Sequence, residues 1–386
     1  MTDDAARAQA LRDFLSAMVR NWAGPGWDAA RFGFHDRLAA DLTPAGGAHR
    51  RLHLCARQLY GLCRAPLLLG EAAPTGFAQT VFQTLTERFY DTVHGGFFNA
   101  LDLVGAPLDR RKALYGHAFV LFALASYYDR SRDPDALALV AATQAALRRH
   151  LSVPGGWLAA SAAEDWRAPE AALAQNPHMH LLEAYLALEH VTGDAQWAEY
   201  ADGLIALFQS HLYDPAGRML GEFYDETGKP HPLTGHLVEP GHQFEWAWLL
   251  YTHAARRGIA PAATASDLID CAALLGTDRE YGGIWDRIDR AGNVIAGTKR
   301  IWPVCEAIKA YAARWRQGGD ARDGTLMRHW IDFLIVHYLR PNGCWHEILN
   351  RDLTPHLSEM PGTTPYHLLM MAEEALPVLE GSAKQR

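Results

Sequence analysis

The sequence predicts an all-α fold: an (α/α)6 barrel, six helical hairpins closed into a ring with short β-hairpin loops at one end, as a single domain over residues 1–386. Three observations carry this reading. A glycine followed closely by an aromatic returns six times, at Gly33, Gly96, Gly156, Gly217, Gly283 and Gly343, with spacings of 63, 60, 61, 66 and 60. Two stretches with apolar residues at i, i+3, i+4 and i+7 lie between successive copies. Neither end shows the polar capping repeat that an open solenoid requires, so a closed ring is the natural arrangement.

The copies, in order, are FGFHDRLAADLTP, GGFFNALDLVGAP, GGWLAASAAEDW, GRMLGEFYDETGKP, GGIWDRIDRAGNV and NGCWHEILNRDLTP. The fourth is the loosest, its aromatic being Phe223. Each reads as a short strand, a polar turn supplied by Gly, Asp and Pro, and a second short extended segment. The helical pairs are typified by PHMHLLEAYLALEHV followed by AQWAEYADGLIALFQSHL. Four of the first helices of these pairs carry start signals: Asn176-Pro177, Pro240-Gly241, Pro303 and Thr364-Pro365.

A formal net charge of -8 and a pI near 6.2 argue against nucleic acid or an anionic membrane as partner, because no basic run offsets them. No segment reaches the roughly 18 unbroken apolar residues of a membrane span. The amino-terminal MTDDAARAQALRDFLSAMV is acidic and amphipathic, unlike a signal peptide. The five cysteines are scattered without a Cys-x-x-Cys pair, which fits a reducing cytoplasm.

About 21 to 25 residues beyond each loop glycine, near the start of the following helix, stand Arg57, His117, His180, His242, Glu306 and His367, spaced 60, 63, 62, 64 and 61 apart. If these helices start at one end of the barrel, six ionisable side chains converge on one pocket there. His242 and Glu245, like His180 and Glu183, lie three apart, so each carboxylate can sit beside its imidazole and hold its pKa near neutrality. Trp246 and Trp248 read as core. No metal is expected: His178 and His180 point to different helix faces, no HExxH is present, and Cys305 has no second thiol beside it.

The stretches NPHMHLLEAYLAL, PGHQFEWAWLL, RIWPVCEAIKAY and MPGTTPYHLLMMAEEAL together resemble the N-acylglucosamine 2-epimerase family, from about residue 25 to the end. The resemblance implies the (α/α)6 barrel and cofactor-free, metal-free proton transfer at carbons 1 and 2 of a sugar. On it, His242 and His367 are the acid/base pair, Arg57 stands beside the enediolate oxygens, and Glu245 helps His242. His180 and Asn176 contact the sugar. His117, Glu306, Glu183 and Trp302 complete the pocket. The Trp-Pro and Pro-Gly-His motifs read closest to the D-mannose/D-fructose isomerase branch, although Val304-Cys305 stands where that branch tends to carry a polar pair. A 2-epimerase of N-acetylglucosamine, glucose/mannose or cellobiose type is the alternative. An inverting glycosidase or a non-catalytic carbohydrate- or protein-binding module is a poorer match. The expected partner is a small sugar, and a homodimer is compatible with the chain.

Overall fold

The computed structural model describes residues 3–70, 76–170, 173–318 and 321–381. Among them are twelve α-helices: α1 (Asp4–Ala23), α2 (Leu52–Leu69), α3 (Phe77–Thr84), α4 (Leu114–Ser131), α5 (Pro134–Leu151), α6 (Gln175–Thr192), α7 (Ala195–Leu207), α8 (Pro240–Arg257), α9 (Ala263–Leu275), α10 (Trp302–Arg316), α11 (Ala321–His337) and α12 (Pro365–Leu379). The even-numbered helices pack side by side in the cyclic order α2, α4, α6, α8, α10, α12 and back to α2. The odd-numbered ones form an outer layer, each against an inner helix.

The two layers differ as their sequences require. Helix α4, LYGHAFVLFALASYYDRS, is apolar on nearly every side and buried on all of them, as a helix walled in by neighbours must be. Its outer partner α5 buries one stripe, Ala136, Val140, Gln144, Leu147 and Leu151, and sends Arg148 and Arg149 outward. Asp133 caps α5 by accepting from the Asp135 N–H, and Pro134 follows at the first turn, a pairing that satisfies helix-start groups at little cost. The turn into α5 is tight because Arg132 takes a left-handed conformation, φ 57°.

The recurring glycines mark where the chain leaves each outer helix. Gly96, Gly156, Gly283 and Gly343 have φ of 68°, 83°, 85° and 72°, values open to glycine at no steric penalty. In the first and fourth copies the left-handed residue is instead a neighbour, Phe32 or Arg218, which explains why the fourth copy matches loosely.

Closure of the ring comes from strand pairs that join one repeat to the next. The segment ahead of each inner helix pairs antiparallel with the following loop: His49–Arg51 with Ala100–Asp102, Lys112–Ala113 with Ser161–Ala162, and Leu173–Ala174 with Phe223–Tyr224. The series continues with Leu237–Val238 and Arg287–Asp289, then Lys299–Arg300 and Ile348–Leu349. It ends by pairing Met360–Pro361 with Arg37–Leu38, the sixth repeat with the first. These bridges gather all six inner-helix N-termini at one end of the barrel, as the spacing required. Among the described residues, no helix is long and apolar enough to cross a membrane.

Candidate active site

The inner helices are held in common phase by one hydrogen bond each. Leu52, Leu114, Gln175, Ile301 and Gly362 donate their N–H groups to the carbonyls of Asn99, Ala160, Glu222, Glu347 and Asp36. The fourth repeat has Pro240 in that place, which has no N–H to give. Five residues on from each of these stand Arg57, Phe119, His180, Glu245, Glu306 and His367, spaced 62, 61, 65, 61 and 61 apart. Four of the six expected ring members therefore share this position, and two lie elsewhere.

His117 sits two residues too early, on the side of its helix that faces the loop. Its Nε2 accepts from the Phe97 N–H at 2.9 Å and its Nδ1–H donates to the Ala113 carbonyl at 2.7 Å. His178 does the same for Leu158 and Ala174, and Gln243 clasps Leu220 from the equivalent place. With both ring nitrogens engaged and no exposure, His117 positions a loop and does not line the cavity. His117→Leu is expected to lower stability by about 1–3 kcal/mol, the cost of an orphaned buried N–H, with KM unchanged. Urea unfolding and steady-state kinetics on the same variant check both halves.

His242 lies one turn above the ring, nearer the mouth. The Pro-Gly-His stretch builds this position residue by residue: Pro240 starts α8, and Gly241 leaves room for Trp302, whose ring would lie 2.4 Å from a Cβ there. Trp302 in turn packs against both histidines, its centroid 5.1 Å from His242 and 5.6 Å from His367. The cavity they share, about 280 Å³, is also lined by Arg57, Tyr115, Asn176, His180, Glu239, Glu245, Arg300, Glu347, Thr363 and Thr364. The structure thus brings together every expected site residue except His117, with Glu183 and Glu306 behind the lining.

The pairing of carboxylates differs from expectation for His242. Its Nδ1 meets Glu222 Oε2 at 2.9 Å, and Asn176 Nδ2 lies 3.2 Å from its Nε2. Glu245 instead approaches His180, 3.9 Å from its Nδ1. The i,i+3 rule failed here because His242 occupies the first turn, where a loop carboxylate reaches it before the side chain below does. His180 does pair with Glu183 as the spacing implied, at 3.2 Å, while Tyr366 donates to the same carboxylate. His367 Nδ1 meets Glu306 Oε1 at 2.8 Å, and the Lys309 ammonium lies 2.7 Å from the other oxygen of Glu306.

These partners drive the two histidines apart. For His242, burial works against the charged form, but Glu222, then Glu239 and Glu245, outweigh it and raise the pKa to about 9. For His367, burial dominates, Glu306 offsets only part of it, and the pKa falls to about 4. Burial would raise the Glu306 carboxyl, yet Lys309 and His367 hold it at about 2. Neither histidine is poised near neutrality. At pH 7 the cavity presents one imidazolium and one neutral imidazole, the separation of roles expected of an acid and a base.

Glu222→Gln is expected to pull the alkaline limb of the kcat/KM profile down from about 9 toward the ordinary imidazole range. Glu245→Gln should move that limb much less. Equal shifts in the two variants would reinstate Glu245 as the partner of His242.

Two clusters have donor atoms within 4.8 Å of one another: His180, Glu183 and Glu245, and Glu245, Glu306 and His367. Their chemistry would suit a divalent cation, but Lys309, fully buried and ion-paired to Glu306, already supplies a positive charge there. Lys309 lies 3.8 Å from the centroid of the Trp248 ring, and Trp246 donates to Gln175 and stacks on Phe208. Both tryptophans are core, as read from the sequence. Glu222, Glu239, Arg300, Lys309, Tyr115, Glu347 and Thr364 went unrecognised. For Glu222 and Glu347 a signal existed, since an acid recurs in successive loops at Glu222, Asp286 and Glu347, 64 and 61 residues apart.

A sequence model of N-acylglucosamine 2-epimerase (GlcNAc 2-epimerase) matches residues 33–371. The chain belongs to the N-acylglucosamine 2-epimerase family. It is 33% identical over 90% of its length to a mannose-6-phosphate isomerase of Rhizobium meliloti (strain 1021), covering 91% of that protein. It is 30% identical over 93% of its length to a D-mannose isomerase of Thermobifida fusca, covering 88% of it. The fold superimposes on a cellobiose 2-epimerase from Bacillus thermoamylovorans B4167 with a TM-score of 0.86 at 21% identity, covering 98% of this chain and 100% of that one. As a member of the N-acylglucosamine 2-epimerase family the protein is a carbohydrate isomerase or 2-epimerase.

Proposed function

We propose that the protein is an aldose–ketose isomerase of the D-mannose/D-fructose type, with His367 as base and His242 as acid. The observation that carries the reading is that two histidines, each joined through Nδ1 to a buried carboxylate and each beside Trp302, line one cavity, with their pKa values shifted in opposite directions. The names of the two isomerase relatives at 30% and 33% identity favour ketose formation over epimerisation, as a cellobiose 2-epimerase of Bacteroides fragilis (strain ATCC 25285) stands at 26%.

In this mechanism the ring opens and the carbonyl oxygen on carbon 1 lies against His242 and Arg57. Neutral His367 takes the proton from carbon 2, and the electron pair moves into a cis-enediolate whose charge the imidazolium and the guanidinium hold. The hydroxyl proton of oxygen 2 passes to oxygen 1 by way of His242, and His367 returns the carbon-bound proton to carbon 1, giving the ketose. Epimerisation would require His242 to deliver a proton to carbon 2 from the opposite face.

Mannose incubated in D2O separates the two. Fructose carrying deuterium at carbon 1, with little early glucose, is the expected NMR result. Early glucose deuterated at carbon 2 and exceeding fructose would overturn the isomerase assignment in favour of the epimerase.

A further inference from the structure

Five inner helices donate their starting N–H to the same place in a neighbouring loop, Pro240 standing at the sixth, and four of the six loop places hold acids: Asp36, Glu222, Asp286 and Glu347. Three of the four serve a cation. Asp36 pairs with Arg51 at 2.6 Å, Glu222 with His242 at 2.9 Å, and Asp286 with Arg300 at 2.8 Å. Glu347 alone has none. Its Oε2 accepts from Trp345 Nε1 at 2.8 Å and from Thr364 Oγ1 at 2.9 Å, which fixes the plane of the carboxyl group. Its Oε1 has no partner among the described residues, and the side chain lines the cavity that holds His242 and His367.

We propose that Glu347 is a further substrate-contacting residue, its free Oε1 hydrogen-bonding an oxygen of the sugar. The proposal rests on the reading of this cavity as the sugar site. A largely buried carboxyl group fixed in plane by two donors to one oxygen, with its other oxygen unpartnered on the lining of a cavity, is arranged for a ligand, because a bound molecule that left that oxygen unmatched would impose a desolvation penalty. The group can act as donor as well as acceptor near neutrality: burial pushes the carboxyl up to about 7, against the donors Trp345 and Thr364 and the positive charges of Arg300 and Arg37. The other titratable and charged groups lining the same cavity are Arg57 on α2, His180 on α6, Glu239 just ahead of α8, His242 and Glu245 on α8, and His367 on α12. The neutral acid gives a hydrogen bond to a sugar oxygen without a hydrogen of its own, such as the ring or carbonyl oxygen. That bond is lost as pH rises through the carboxyl pKa.

Kinetics of the wild type, E347Q and E347A from about pH 5.5 to 9 test this, using whichever of D-mannose, D-fructose, D-glucose and cellobiose the wild type turns over. The amide of E347Q keeps an acceptor for Trp345 and Thr364 and presents a donor that does not titrate. The wild-type KM is expected to rise with pH through neutrality, and E347Q should abolish that rise. E347A should raise KM about tenfold on the acid side, the loss of one hydrogen bond to the sugar. Wild-type KM and pH dependence in E347Q would overturn the proposal and leave Glu347 as a holder of Trp345 and Thr364, even if E347A were impaired. Should E347A fail to fold, E347Q decides alone. A wild type that makes no fructose from mannose overturns the isomerase reading instead, and the KM comparison stands on the sugar that does react.

Discussion

Replacing His367 with asparagine is expected to lower kcat by about 10²–10⁴-fold, the span typical of losing a positioned general base. The fold should survive, since His367 makes its hydrogen bond to Glu306 through Nδ1 and faces the cavity with the rest of the ring. Asparagine keeps a donor for Glu306 but has no basic nitrogen. The same change at His242 removes the imidazolium. Together the two groups predict a bell-shaped kcat/KM profile with a sign that can be stated in advance. His367 must be neutral to accept a proton, so activity falls as pH drops through its pKa of about 4. His242 must be charged, so activity falls as pH rises through about 9. Stopped assays across this range, with circular dichroism as a control for folding, check both the limbs and the variants. Wild-type activity in either variant would remove that histidine from the mechanism.

Arg57→Ala is expected to cost about 10²–10³-fold in kcat, comparable with removing one oxyanion donor. The guanidinium lies over the rings of Phe119 and Tyr366, 4.1 Å and 4.7 Å from their centroids, and donates to Tyr115 Oη at 2.8 Å and the Thr363 carbonyl at 3.2 Å. Both hydrogen-bond partners are uncharged, so no carboxylate competes for the charge. Arg57→Lys should recover only part of the loss, because an ammonium cannot reproduce the flat stacking surface and the two-point donation at once. A drop confined to KM, with kcat intact, would mean that Arg57 binds the sugar equally in ground and transition states and does not stabilise the enediolate.

The repeat period made the barrel legible, because a two-helix unit that cannot bury its own apolar face must recur. It placed Arg57, His180, Glu306 and His367 correctly for the same reason: backbone phase follows the repeat. The period also has a resolution limit of a residue or two. His117 and Phe119 are both compatible with it, and only the loop hydrogen bonds decide that the phenylalanine packs beside Arg57 and His180 while the histidine holds Phe97. His242 was found through the Pro-Gly-His stretch, but its partner was misassigned to the nearest acid on its own helix. The true partner, Glu222, is 20 residues away on a loop, and its approach depends on strand pairing between repeats that local pattern does not encode. The opposite pKa shifts of the two histidines were illegible for a related reason, since they depend on burial outweighing Glu306 at His367 and on the loop carboxylate Glu222 reaching His242.

The strand pair between Met360–Pro361 and Arg37–Leu38 has a consequence for the birth of the enzyme on the ribosome. Arg57 belongs to the first inner helix and His367 to the last, so the two reach one cavity only when the sixth repeat meets the first. At translation rates of roughly 5–20 residues per second, the first loop waits on the order of 20–60 seconds for its partner strand. During that interval five hairpins can form and stack, yet the face of α2 that α12 will cover stays open, with Leu54 and Tyr60, which later meet Gly362 and Tyr366, uncovered. Activity therefore appears late and all at once, as the final helix docks. A nascent chain halted before residue 360 lacks His367 and the helix that covers this face of α2, and transiently exposed apolar surface of that kind favours aggregation.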